Sequence, residues 1–214
     1  MFNIAKILMN RKLYRKQAPN LLYPNDDYIN NAKNVNKADL KRFQQVFDLN
    51  KHLSGRMLDL GCNDGFLMRK FDWKFDEYVG VDMFSIDKYT NGKFSRNKNA
   101  YTKNGKILYV QSLLESIDEQ KLGKFDFIFA GEFIEHLKHT KRLFLTAKRL
   151  LRGGGVFVIT TPNNVGGNLP EHYRQYSKES LSAEIAQYFD DFDIFELPAV
   201  NDSWPFLMAR IVSK

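Results

Sequence analysis

Short apolar runs recur along this chain with amphipathic stretches between them. "RMLDLG", "YVGVD", "KILYVQ", "FDFIFAG" and "GVFVITT" are rich in Val, Ile, Leu and Phe, the composition of strands buried on both faces. "SLLESIDEQKL" and "HTKRLFLTAKRLL" read as helices between strands, and "DGFLMRKF" reads as the start of another. Ahead of them, "NKADLKRFQQVFDLNKHL" spaces Leu40, Phe43, Phe47 and Leu49 at roughly helical intervals, with Asn36 as an N-cap. Strands separated by helices need right-handed crossovers and give a parallel sheet covered on both faces. The class is α/β, doubly wound.

The end of the chain breaks this rhythm. "DDFDIFEL" and "WPFLMARIVS" read as two strands with only "PAVND" and its neighbours between them. That is too short for a crossover helix, so the two should form an antiparallel hairpin at the sheet edge. "NGKFSRNKNAYTKNGK", at 91–106, is a polar loop rich in Asn and Lys where a helix would fit the pattern.

The 214 residues, 43% of them hydrophobic, suit one substantial core rather than two. We expect residues 1–34 to be a basic N-terminal segment, a lid or a docking surface, and 35–214 to be the main domain. Residues 1–56 carry eleven Lys/Arg against four Asp, a surplus of seven, whereas 57–214 carry twenty-one charges of each sign. The whole net charge of +7 therefore lies ahead of "MLDLGCNDGFL". Such a segment attracts phosphates, acidic lipid or an anionic substrate, and also serves simply as a solvated surface. With Cys62 as the only cysteine, an internal disulfide and a multi-cysteine zinc site are excluded. No apolar run approaches the ~18 to 20 residues of a membrane span, and the expected location is cytoplasmic.

"DLGCNDG" sits at the carboxyl end of the first strand, where open α/β sheets bind ligands. Gly61 and Gly65 let the backbone approach a ligand, and Asn63 tolerates the left-handed conformation. A dinucleotide fold would place a third glycine at position 66, where this chain has Phe66. Asp59, two residues before the first glycine, fits a pyrophosphate poorly and suits a ligand with a cationic group.

In these segments the chain resembles the class I S-adenosylmethionine-dependent methyltransferases, over roughly residues 55–212. "DLGCNDG" resembles their glycine-rich first motif, with Asn63 in place of the usual middle glycine. "VGVDM" resembles the second, in which the acid, here Asp82, binds both ribose hydroxyls. "FDFIFAGEFIEHL" and "LRGGGVFVITTPN" resemble the fourth- and fifth-strand segments. The resemblance implies a Rossmann-like, mostly parallel seven-stranded sheet with an antiparallel C-terminal strand. It implies S-adenosylmethionine as cofactor, bound by Asp59, Gly61, Cys62, Asn63, Gly65, Asp82, Met83, Gln111, Ser112 and Gly131. Leu113 stands where many relatives carry an acid for the adenine amino group, which leaves Gln111, Ser112 or backbone amides for that task. Cys62 reads as a small packing residue of the loop, since no partner base is in view.

Methyl transfer needs alignment of the acceptor and, for a hydroxyl, removal of its proton. Glu132, Glu135 and His136 lie at i, i+3 and i+4, so on a helix they would share one face. His136 is the expected base, and Glu132 is expected to orient it or the substrate. The competing reading gives the two glutamates a role at a helix N-terminus and packs His136 under the cofactor. E-x-x-E-H with a later histidine also resembles the metal-binding pattern of small-RNA 3′-end 2′-O-methyltransferases, and a similar segment occurs in ubiquinone-pathway O-methyltransferases. That resemblance makes Glu132, Glu135, His136 and His172 candidate ligands of a divalent metal. His52, at a helix end, and His139, in a polar turn, stand apart.

"TPNN" followed by "EHYRQYSKESL" resembles methyltransferases of polysaccharide and glycolipid gene clusters. It implies a small-molecule acceptor, such as a saccharide or sugar-phosphate hydroxyl, bound by His172, Tyr173 and Arg174, with Tyr176 lining the pocket and Ser177 capping the next helix. RNA is the alternative acceptor, through the basic segment and E-x-x-E-H. A cofactor-binding partner subunit without turnover is the third reading.

Overall fold

The computed structural model describes residues 37–63, 65, 67, 70–83, 100–102, 105–163, 172–199 and 205–214. The basic segment 1–34 and the cap at Asn36 lie outside them, as do Phe66 and most of the segment expected to open the helix after the glycine loop.

One sheet organises the chain. Its strands are β1 (Ser54–Leu60), β2 (Lys74–Asp82), β3 (Ala100–Thr102), β4 (Gly105–Gln111), β5 (Phe125–Gly131), β6 (Leu151–Pro162), β7 (Phe192–Leu197) and β8 (Phe206–Val212). The order across the sheet is β3-β4-β2-β1-β5-β6-β8-β7. From β4 to β6 all neighbours are parallel. β8 runs antiparallel between β6 and β7, so the C-terminal hairpin closes one edge as expected. The other edge carries a strand that sequence reading missed: β3 lies inside the polar 91–106 loop and pairs antiparallel with β4, two residues separating Thr102 from Gly105. Seven strands match the expectation and β3 is the eighth.

Four helices flank the strands among the described residues: α1 (Lys37–Asn50), α2 (Glu119–Leu122), α3 (Lys141–Leu150) and α4 (Lys178–Ile185). Side chains alternate along each strand, which gives the sheet two apolar faces. Leu58, Leu60, Val79, Val81, Ile128 and Phe157 face Leu143, Phe144, Ala147 and Leu150 of α3 and Leu181 and Ile185 of α4. Met57, Tyr78, Phe127, Phe129 and Val158 face Val46 of α1 with Trp73 and Phe75. Trp73 stacks on Phe75 and meets the edge of Phe47, and its indole N–H donates to the Leu67 carbonyl.

Three local expectations change. Leu40 and Leu49 of α1 are 41% and 39% exposed, because the buried stripe runs through Val46 and Asn50, with Phe43 and Phe47 partly covered. "SLLESIDEQKL" is not one helix but a 3-10 turn, Leu114–Ser116, followed by α2, whose N-cap Asp118 accepts from the Lys121 amide. Residues after β5 form a 3-10 turn, Ile134–His136, in place of a helix.

Candidate active site

The glycine loop leaves β1 through alternating left-handed residues: Gly61 at φ 75°, Asn63 at 51° and Gly65 at 70°. The amides of Gly61 and Cys62 donate to the Val81 carbonyl at 2.8 and 3.2 Å, which ties the loop to the end of β2. The Asn63 amide donates to Asp82 Oδ2 at 3.0 Å, so the loop fixes the carboxylate that ends β2. Asn63 Oδ1 is enclosed and accepts no hydrogen bond among the described residues. An acceptor buried in this way, beside Asp82, suits a ligand rich in donors such as ribose hydroxyls and an ammonium group. That chemistry fits S-adenosylmethionine.

Both glycines are also required by the protein itself. A Cβ on Gly61 would lie 2.5 Å from the Phe133 ring, and one on Gly65 would lie 2.2 Å from the Tyr109 hydroxyl. Cys62 is buried in the loop and its thiol contacts the Asn63 carbonyl at 3.7 Å, a packing position. Asp59 sits deeper than its motif suggested. It is 3% exposed and accepts a 2.7 Å hydrogen bond from the Tyr78 hydroxyl. Burial, and then the Asp59 carboxylate, push the Tyr78 hydroxyl well above the usual tyrosine range.

At the end of β4, Gln111 pairs with Asp82 in register and its Nε2 donates to the Met83 carbonyl at 3.2 Å. The Ser112 amide donates to the Asp82 carbonyl at 2.8 Å, and its hydroxyl to the Leu113 carbonyl at 2.9 Å. Gln111, Ser112 and Met83 thus gather beside Asp82.

Beyond β5 the chain turns sharply. Glu132 follows Gly131 at φ 50°, rare for a residue with a side chain, and its amide donates to the carbonyl and hydroxyl of Thr160 at 2.9 and 3.2 Å. Glu135 is 2% exposed; its Oε2 accepts from the Thr161 hydroxyl at 3.0 Å and its backbone carbonyl accepts from the Tyr173 amide at 2.9 Å. His136 and His172 meet edge to face, 4.8 Å between ring centroids. One ligand atom from each of Glu135, His136 and His172 lies within 4.8 Å of the others. Glu132 does not join this group. One carboxylate and two imidazoles, with the carboxylate desolvated and oriented by a hydroxyl, are a donor set that fits a divalent metal.

Two of the expected acceptor-binding residues part company. Tyr173, 38% exposed, stands beside the cluster. Arg174 is drawn into the protein instead, donating to the Lys138 carbonyl at 2.9 Å and to Thr140 Oγ1 and Glu184 Oε1 at 3.3 Å each. Its guanidinium holds elements together, which its sequence neighbours do not reveal. Tyr176 is likewise buried, donating to Glu184 Oε2 at 2.6 Å. Ser177 caps α4 as expected, with a reciprocal bond from its amide to the Ser180 hydroxyl. Glu184 and Thr161 were not anticipated as site residues; Thr161 opens the "TPNN" segment, whereas Glu184 lies beyond any quoted motif.

A ligand loop after the first strand, an acid after the second and a reversed strand inserted near the sheet edge define the fold of class I S-adenosylmethionine-dependent methyltransferases. The chain belongs to the methyltransferase-domain family, which matches residues 28–197. It is 26% identical over 160 residues to a ubiquinone biosynthesis O-methyltransferase of Rickettsia akari, covering 68% of this chain and 61% of that protein. A mouse mitochondrial ubiquinone biosynthesis O-methyltransferase is 32% identical over 117 residues, 53% of this chain and 30% of that one. The chain thus spans less than two thirds of the length of these relatives. Among solved structures, the N-methyltransferase NodS of Bradyrhizobium japonicum with S-adenosylhomocysteine matches the fold with a TM-score of 0.65 at 15% identity, over 84% of this chain and 89% of that one. No helix among the described residues is long and apolar enough to cross a membrane.

Proposed function

We propose that the chain transfers the methyl group of S-adenosylmethionine to a hydroxyl of a small molecule, with Glu135, His136 and His172 activating the acceptor. The convergence of these three side chains within 4.8 Å, two from the turn after β5 and one from the segment ahead of α4, carries the reading. The O-methyltransferase relatives support it.

The sulfonium is a good leaving group, so most of the catalysis is alignment. The acceptor oxygen attacks the methyl carbon as the carbon–sulfur bond breaks. The bonding pair stays on sulfur, giving a neutral thioether, and the hydroxyl proton passes to a base. Gly61, Cys62, Asn63 and Gly65 hold the cofactor, Asp82 accepts from the ribose hydroxyls, and Met83, Gln111 and Ser112 lie towards the adenine. Asp59 acts from beneath the loop, through its charge and Tyr78. Gly131 ends β5 in the middle of the sheet, beside the strand that launches the glycine loop, and Glu132 orients the acceptor. His136 takes the proton. Glu135, His136 and His172 are also the residues that would hold a divalent metal, which when bound would supply positive charge that lowers the pKa of an acceptor hydroxyl and would replace His136 as the base. Tyr173 offers an exposed ring for a saccharide or comparable hydroxyl compound. Arg174 is committed elsewhere, which removes the main support for a phosphate on that acceptor.

Labelled methyl transfer to a panel of saccharides, small phenols and RNA tests the proposal. We expect transfer to a small hydroxyl compound, slower by about a hundredfold in His136→Ala, with affinity for S-adenosylhomocysteine unchanged. A folded His136→Ala protein with wild-type turnover removes His136 from the mechanism. Full activity in chelator removes the metal, and transfer to RNA alone replaces the acceptor class.

A further inference from the structure

The two histidines of the candidate site come from different parts of the chain. His136 ends the 3-10 turn after β5, whereas His172 precedes the segment that leads into α4. Their rings meet directly, edge to face, and the arms that carry them are joined by further contacts.

Four polar groups bridge the two arms. Thr140 lies four residues beyond His136; Arg174 and Tyr176 lie two and four residues beyond His172. All three donate to the Glu184 carboxylate on α4: the Thr140 hydroxyl and Arg174 Nη1 to Oε1, and the Tyr176 hydroxyl to Oε2. Arg174 also bonds directly to the His136 arm, at the Lys138 carbonyl and Thr140 Oγ1. Glu184 is mostly covered, at 19% side-chain exposure, and Tyr176 is buried. The helix that carries Glu184 is itself locked to the His172 arm by the Ser177 capping box. A half-buried carboxylate with three donors is a rigid hub, because its charge strengthens each bond and leaves little freedom to rearrange.

We infer that Glu184 is a positioning residue that sets the His136–His172 separation by clamping both histidine-bearing arms to α4. This rests on the reading of Glu135, His136 and His172 as the acceptor-activating group. It gives a further role to α4, which packs Leu181 and Ile185 into the core and pairs Lys178 with Glu196 of β7. Arg174 shares the function: it ties arm to arm, and Glu184 ties both to the scaffold.

Two readouts on the purified full chain test the inference, neither of them turnover. In protein with selectively labelled histidines, the edge-to-face pair predicts a ring-proton NOE between His136 and His172. Glu184→Ala should lose that NOE and weaken Mn²⁺ binding by roughly tenfold or more, with affinity for S-adenosylhomocysteine unchanged. Glu184→Gln, which keeps the size and one acceptor, should restore part of both. Should Glu184→Ala fail to fold, Arg174→Met cuts the direct ties while leaving Thr140 and Tyr176 on Glu184, and should weaken the NOE and the metal affinity together. A variant that melts earlier yet keeps the NOE and the Mn²⁺ affinity would overturn the inference by reducing Glu184 to a structural residue. If the wild-type protein binds no Mn²⁺ but Glu184→Ala still loses the NOE, the metal reading falls and the positioning role stands.

Discussion

Asp82 is held from behind by its own ligand loop. The Asn63 amide reaches it because Asn63 adopts a left-handed conformation that most side chains resist, and asparagine between two glycines made that conformation legible in the sequence. In the proposed mode of cofactor binding, replacing the carboxylate removes an acceptor for two ribose hydroxyls. Asp82→Ala should therefore weaken S-adenosylhomocysteine binding by about tenfold or more, measured by calorimetry; unchanged affinity would remove Asp82 from the cofactor site. What single residues could not reveal was their neighbours across the sheet. Nothing near Gly65 in sequence announces the Tyr109 hydroxyl, and nothing near Asp59 announces Tyr78. The second pair follows from strand register, in which Asp59 lies opposite Gly80, two residues along from Tyr78; the first depends on how the loop folds back over β4.

At the scale of elements, periodicity located most strands and misjudged faces and turns. Leu40 and Leu49 shared the helical spacing of Phe43 and Phe47, yet the stripe through Val46 and Asn50 takes the buried side. Asn50 is admitted there because its amide donates to the Val46 carbonyl at 2.8 Å. The turn 134–136 was hidden because E-x-x-E-H suits a helix equally well, and only the left-handed Glu132 breaks it. The short α2 is anchored by charge: Glu119 receives Arg149 and Arg142, with Thr146 alongside. The Arg149 hydrogen bonds hold the Glu119 carboxyl below the usual range despite the opposing effect of burial. Because the folded-state pKa is depressed, this stabilisation is present above the unfolded-state value and fades as pH falls through the folded one. Glu119→Gln should cost about 0.5 to 1 kcal/mol near neutrality, discounted for the exposure of Arg149. Denaturant titrations should show the difference closing below about pH 4; a difference that persists there would assign the loss to packing.

For the whole molecule, the alternation of strands and helices was enough to read a doubly wound sheet, and the short final connection was enough to read a hairpin. The insertion of β8 between β6 and β7 makes the hairpin part of the core rather than an appendage. Leu207 lies opposite Thr161 on one side and Glu196 on the other, and is fully buried. Leu207→Ala should destabilise the protein by about 2 to 5 kcal/mol, read by chemical unfolding; a cost well below that would mean that β8 is peripheral to the cooperative unit. β3 escaped notice because its three residues lie in a polar stretch with no apolar alternation to mark them.

The register of β1 also bears on how the protein reaches this state. The Arg56 side chain pairs with Glu77, 21 residues away, whereas its backbone amide is satisfied by Asp126, 70 residues away. The strand that launches the ligand loop is therefore secured on one side by a short loop closure and on the other by a long one. Long closures sacrifice chain entropy before any contact rewards them, so sheets of this kind assemble slowly. The glycine loop is bonded to the near side, at Val81 and Asp82, and meets the far side through Phe133 against Gly61, so it straddles an early closure and a late one.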